Sequence, residues 1–484
     1  MFSSILELYS GLGGHRSAYT QLMNLQINRL LDGEENYFNL ETVFHSFDVN
    51  ENANLAYEHN FGQRSSTKDI SKITAADLEA IKPQLLVMSP PCQPYTRNGT
   101  RLESKDTRSN SFISFLAQLS AMSSDLQPTH ILLENVLGFE NSDTFTILCE
   151  TLTSNKYTVQ SYIINPNQCG IPNSRPRFYL LAKKTQVVGD FAIAENNNRH
   201  NFPPIVGMAH ALTVGALPSC ISEYIDNTAN SDAALLVSHR KLWKAGAQFD
   251  ILRPTHMRSC CFTKGYSQHA RGTGSVLCMA SDAEILAAAI KFGFNEDDDS
   301  CVQKATKCRI AQVNWEGGQV ASESVLRAMK WLFVQYFEMK EQFKPLDLNN
   351  LDENANLCAV AKNGEKMAKQ TKRLSARKRR ELDMERGSWP DKMPKCPLDA
   401  LRLRYFSVKE VAWLQGFPEW YSFPETLTQE QGWKLLGNSI NVKIVMGLLE
   451  YLQKDGVPTA ISDSRLFGVY CSYFICLAAL KVLH

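Results

Sequence analysis

Six short runs rich in branched and aromatic residues alternate with helical stretches through the first 185 residues: SILELY, ETVFHSFDV, QLLVMS, HILLENV, TVQSYII and RFYLLAK. Such alternation argues for a mostly parallel sheet covered by helices on both faces, because each strand must bury its sides against a neighbouring layer. The expected class is α/β. After Lys184 the pattern breaks, and the chain from about 189 to 400 includes the acidic NEDDDS near 295 and a basic, polar stretch from Lys362 to Arg386. Regular structure is expected again at RYFSVKEVAWLQGFPEWYSFP and at GWKLLGNSINVKIVMGLLEYL. The second reads as a helix beginning after Gly437-Asn438-Ser439, with Asn438 or Ser439 as its cap.

A chain of 484 residues has room for two or three domains. Its 51 basic and 50 acidic residues nearly cancel, so any nucleic-acid partner must be held by a local basic surface. The segment KRLSARKRR, Lys372 to Arg380, could contact phosphates or act as a nuclear localisation signal, but is read first as a solvated insert. Thirteen cysteines form no C-x-x-C pair, and Glu7 interrupts what would be an apolar leader. A reducing compartment, cytoplasmic or nuclear or both, is therefore expected. The ten histidines show no ligand spacing, so no metal is expected. LFGVYCSYFICLAALKVL, near the C-terminus, barely reaches the length of a membrane span and contains Gly468, Ser472 and two tyrosines. It is read as a docked helix or irregular extension, with no membrane partner.

The chemistry-bearing residues fall at strand ends. The first run leads into ELYSGLGG, where Gly11, Gly13 and Gly14 make a tight turn that lets backbone amides approach a ligand at a helix start. Asp48, at the end of the second run, is placed to bind the ribose of a nucleoside cofactor, although NRLLDGEENYFN lengthens the intervening segment. QLLVMS delivers Ser89-Pro90-Pro91-Cys92-Gln93-Pro94, a thiol in a proline-stiffened loop and a good nucleophile even when only a few per cent ionised. HILLENV presents Glu134 and Asn135 beside it. A partly desolvated glutamate there can donate to a ring nitrogen, whereas an amide can only brace backbone groups. Arg175 and Arg177 alternate before the last run, so both face one side and suit a carbonyl oxygen or a phosphate.

In this order, the glycine turn, Asp48, P-P-C-Q, E-N-V, R-x-R and G-N-S resemble the cytosine-5 methyltransferase family, over residues 5 to 185 and 401 to 453. The resemblance implies a Rossmann-like S-adenosylmethionine-dependent methyltransferase sheet with a smaller target-recognition domain. The implied catalytic domain is 1–188 plus 434–456. The recognition domain is 189–433, with a basic polar insertion at about 340–400, and 457–484 is an apolar extension. The cofactor S-adenosyl-L-methionine is expected at Tyr9, Ser10, Gly11, Gly13, Gly14, Asp48, Val49, Asp69, Ile70, Pro90, Asn438 and Ser439. The implied chemistry has Cys92 adding to C6 of cytosine, Glu134 engaging N3 and Arg177 engaging O2, with Arg175 and Asn135 completing the catalytic set.

Within the family, PPCQPYTRNG and the Cys261-Phe262-Thr263 segment look like the branch that methylates transfer RNA. That similarity implies a cytosine in the anticodon loop of aspartate transfer RNA, a base cheaper to present to a pocket than one in a duplex. DNA is the alternative substrate, and a silent cofactor- or nucleic-acid-binding homologue is the alternative of a different class. Asn173 and Trp413 depart from DNA-methylating relatives, and a monomer is expected.

Overall fold

All six expected runs lie side by side in one sheet of order β2-β1-β3-β4-β6-β5. The strands are β1 (Ser4–Leu8), β2 (Val43–Phe47), β3 (Leu85–Met88), β4 (His130–Val136), β5 (Tyr157–Ile164) and β6 (Arg177–Lys184). Only β6 runs against its neighbours. The computed structural model describes residues 1–30, 42–91, 107–184, 219–295, 322–342 and 394–453. Cys92, NEDDDS from Glu296 on, the basic stretch from Lys362 to Arg386 and the apolar tail fall outside the described residues.

Because neighbouring side chains on a strand point to opposite faces, apolar runs supply two cores at once. Ile131 and Leu133 of β4 join Leu86, Met88, Phe112, Phe115 and Leu148 on one face. Helices α3 (Ala75–Ile81), α4 (Thr107–Ala121) and α5 (Asp143–Ser154) cover that side. Leu132 belongs instead to the core that includes Ala18, Leu22 and Leu448. There α1 (Gly14–Leu30) packs on the last helix. In the same core, α2 (Glu51–Phe61) starts at Asn50, whose side chain caps two amides, and stops at Gly62 in the left-handed conformation.

A second, three-stranded sheet holds β7 (Asp250–Leu252), β8 (Ser275–Cys278) and β9 (Leu403–Tyr405), with β8 between the other two. Around it lie α6 (His239–Ala245), α7 (Asp282–Lys291) and α8 (Glu323–Gln342), and the rings of Trp243 and Tyr336 stack with centroids 5.8 Å apart. Arg404 and Glu410, both with no exposure, pair at 2.7 Å in this lobe. Glu410 also accepts the Ser407 amide in the capping box that starts α9 (Val408–Leu414).

The structure corrects one expected boundary. GWKLLG ends a separate helix, α10 (Gln429–Gly437), and Asn438 closes that helix through its own amide. The final helix, α11 (Val442–Gln453), starts later: the side chain of Asn441 accepts the Ile444 amide at 3.2 Å, making Asn441 the cap in place of Asn438 or Ser439. Asn438 and Ser439 are thereby left in the connection between two helices.

Candidate active site

The glycine turn, Asp48, the stem of the cysteine loop and Glu134 lie at the carboxyl ends of β1 to β4, where open α/β sheets hold ligands. Directly after β1, Tyr9 takes a φ of +56°, a left-handed backbone that tyrosine rarely adopts. Gly13 follows at φ +72°, and a Cβ there would lie 2.3 Å from the Phe61 ring, so no other residue fits this turn against α2. The turn is fixed from three sides. Ser10 bonds the Phe47 carbonyl at 3.0 Å through its amide and the Ser65 hydroxyl at 3.0 Å. The hydroxyl of Tyr421 donates to the Leu12 carbonyl at 2.7 Å, across 409 residues of chain.

Asp48 reaches the same turn. Its two carboxylate oxygens accept the amides of Gly11 and Asn50, each at 2.8 Å. Burial pushes this carboxyl above the ordinary range, against the pull of those two amides. Val49, next to it, is 68% exposed. Asp69 is exposed and caps a short helical turn through the Ser71 amide and hydroxyl, which hold its carboxyl below the usual value. Ile70 corrects an expectation at the level of its side chain: that group is 5% exposed and packed in the core, leaving only its backbone to meet a ligand.

Beside the turn, β3 and β4 present the acid and the stem of the cysteine loop. Glu134, 7% exposed, faces Arg177 with Oε1 3.3 Å from Nε. The amide of Asn135 donates to the Pro90 carbonyl at 3.3 Å. Thus the residue two before Cys92 is anchored to β4.

Arg175 departs from the expected pair of substrate-facing guanidiniums. It is 2% exposed, and it donates to the carbonyls of Phe262 (3.0 Å), Gly437 (3.2 Å) and Ser439 and to the sulfur of Cys261 (3.3 Å). A guanidinium with these partners has no fork left for a phosphate or a base. It pins the Cys-Phe-Thr segment to the G-N-S connection. Gly437 allows the approach, because a Cβ there would sit 2.1 Å from the Lys264 nitrogen. Asn173 adds a second clasp, from its amide to Ser259 at 3.0 Å and to the Cys260 carbonyl.

Of the three residues expected to touch substrate, Phe262 is also corrected. Its ring is 2% exposed and meets Tyr266 at 5.0 Å and Phe406 at 5.4 Å, so it builds the core under the segment. Thr263 closes the segment through its amide to the Thr273 carbonyl. Burial alone would raise the Cys261 thiol, but the guanidiniums of Arg175 and Arg177 outweigh it and bring the thiol below its ordinary value. Residues that sequence reasoning missed include Tyr421, Tyr57, His15 and, as a site residue, Glu7. Only His15 carried a visible signal, directly following the double glycine.

Residues 3–454 match the family model of the C-5 cytosine-specific DNA methylases. The chain is 28% identical to a tRNA (cytosine(38)-C(5))-methyltransferase of Spodoptera frugiperda, over 93% of this chain and 99% of that protein. It is also 28% identical to a DNA (cytosine-5)-methyltransferase of Dictyostelium discoideum, over 93% of each. The crystal structure of S. pombe Dnmt2 methyltransferase superposes with a TM-score of 0.55 at 26% identity, covering 93% of this chain and 97% of that one.

Proposed function

Since the chain belongs to the C-5 cytosine-specific DNA methylase family and is a cytosine-5 methyltransferase, we propose that its substrate is transfer RNA, methylated at a cytosine of the aspartate anticodon loop through a transient bond to Cys92. The observation that carries the chemistry is the Glu134–Arg177 pair beside the tethered Pro90, on adjacent strand ends. Likeness to the Spodoptera enzyme over nearly its whole length supports RNA, as does the resemblance carried by the Cys261-Phe262-Thr263 segment.

The glycine turn fits S-adenosylmethionine. Asp48 uses one chain donor on each oxygen, and a carboxylate has about four acceptor positions, so capacity remains for two ribose hydroxyls. Val49 would offer an exposed apolar edge to the adenine, and Tyr9, Ser10, Gly11, Gly13, Gly14, Asn438 and Ser439 would hold the methionine part. When bound, the cofactor supplies the electrophilic methyl group.

The chain's own residues prepare the acceptor. The thiolate of Cys92 bonds to C6 of cytosine, while Glu134 holds N3 and Arg177 the O2 carbonyl, so the ring's electron density moves to C5. Once C5 carries its new methyl, it loses its proton, the C5–C6 double bond returns and the sulfur leaves with its electron pair. Glu134→Gln keeps the shape but cannot offer a carboxyl proton, and its initial rate is expected to fall by about a hundredfold.

Substrate is tested with tritiated cofactor, offered with total transfer RNA, an aspartate transfer-RNA transcript and duplex DNA. Label in RNA alone supports the proposal. Label chiefly in DNA overturns the substrate, and no label in any of them favours a silent binding homologue.

A further inference from the structure

Glu7 has no exposure at all, yet nothing in the proposed chemistry uses it. One carboxylate oxygen accepts the Tyr57 hydroxyl at 3.0 Å, and that hydroxyl in turn accepts from Arg16 at 3.3 Å. The other oxygen, Oε1, makes no hydrogen bond among the described residues and faces Nδ1 of His15 at 3.5 Å. A buried carboxylate needs a partner on each side, because its lost hydration is not otherwise replaced. His15, itself 3% exposed, is that partner on the second side.

The imidazole also faces away from Glu7. Its Nε2 lies 3.5 Å from the hydroxyl of Ser89. The imidazole thus stands between the two groups, with one ring nitrogen toward the Glu7 carboxyl and the other toward the serine hydroxyl. Ser89 is followed at once by Pro90, Pro91 and Cys92, and Pro90 is already held by Asn135. Prolines pass on the orientation of the residue before them, since their φ is fixed. His15 is also the first residue after Gly14, so one side chain joins the cofactor turn to the cysteine loop.

We propose that His15 is a positioning residue: the chain Glu7–His15–Ser89 holds the stem of the Cys92 loop in register with the glycine turn. The inference rests on the reading of Cys92 as nucleophile. Nothing about it requires His15 to touch substrate.

The test uses the full chain with His15→Leu, His15→Gln, Ser89→Ala and the Leu/Ala double variant. Three quantities are read: the rate at which iodoacetamide alkylates Cys92, followed by peptide mass spectrometry, the turnover number with the RNA substrate, and the cofactor affinity. In Ser89→Ala and His15→Leu, alkylation should speed up by about threefold or more and turnover should fall by about tenfold, as a loosened reacting group predicts. Cofactor affinity should stay within about twofold, and the double variant should be no worse than the worse single one, because both remove the same chain. His15→Gln, which keeps polar atoms toward both neighbours, should recover turnover to within about threefold of the parent.

Ser89→Ala removes only an oxygen from a half-buried position, so it carries the test even if His15→Leu folds poorly. Wild-type alkylation and turnover in Ser89→Ala would overturn the proposal, as would losses that multiply in the double variant. A parent protein that transfers no methyl would sink the functional reading instead, while the alkylation rates still decide this one.

Discussion

Replacing Cys92 by alanine is expected to lower methyl transfer by roughly a thousandfold or more, because the covalent route has no second path once its nucleophile is gone. Cofactor binding should be unaffected, since the bonds that hold Asp48 and the glycine turn run to Gly11, Asn50, Phe47 and Ser65. The same variant should fail to form a denaturation-resistant adduct with RNA carrying 5-fluorocytosine. In the parent that adduct should accumulate: sulfur adds to C6 and C5 takes the methyl, but fluorine cannot leave as a proton does, so the sulfur is trapped. The experiment also has a named rival. Cys261 sits beside two guanidiniums that depress its thiol, which makes it a reactive sulfur by physical criteria. An adduct that persists in Cys92→Ala and vanishes in Cys261→Ala would move the nucleophile to the clasped segment.

The second large effect concerns the fold. Glu410 accepts two bonds from Arg404, at 2.7 and 2.8 Å, and one each from the amides of Ser407 (2.7 Å) and Asp226 (2.9 Å), all without exposure of either charged side chain. Glu410→Gln leaves the arginine buried and uncompensated, which costs about 3–5 kcal/mol. Urea unfolding should show this as a lower midpoint at unchanged slope. The volume-matched double variant Arg404→Met, Glu410→Leu should recover part of the loss, because two desolvated charges are removed together. Recovery stops short of the parent, since the Ser407 and Asp226 amides still lose their acceptor. A change under about 0.5 kcal/mol in Glu410→Gln, within the range of surface substitutions, would show that the pair is not sealed from water.

How much of the molecule was legible follows from the range of each interaction. The six strands could be read because their apolar runs are local and uninterrupted, and the glycine turn because a positive φ and a neighbouring ring that leaves no room for a Cβ restrict its residue type. The helix start near residue 440 was misread because Gly437, Asn438 and Ser439 look like a cap in sequence. The competing cap, Asn441, is distinguished by a contact of its amide with the Leu414 carbonyl, 27 residues away.

Arg175 is the sharper case. R-x-R alternation correctly put two guanidiniums at the head of β6, but two side chains of one residue type acquired different partners. Arg177 met Glu134 across the sheet, whereas Arg175 was drawn between segments 87 residues ahead and more than 260 residues ahead. Phe262 and Ile70 follow the same logic, since burial depends on what packs over them.

The sequence alone therefore determined the α/β class, the order of the strands along the chain, the glycine turn and the identities of an acid and an arginine at adjacent strand ends, because these depend on short-range periodicity and chemistry. Tertiary structure alone decided that Arg175 is a clasp, that Tyr421 props the glycine turn from 409 residues away and that His15 stands between Glu7 and Ser89. Those contacts join residues whose separation in sequence carries no periodic signal. They form only once burial brings unpaired polar atoms together and makes leaving them unpaired costly.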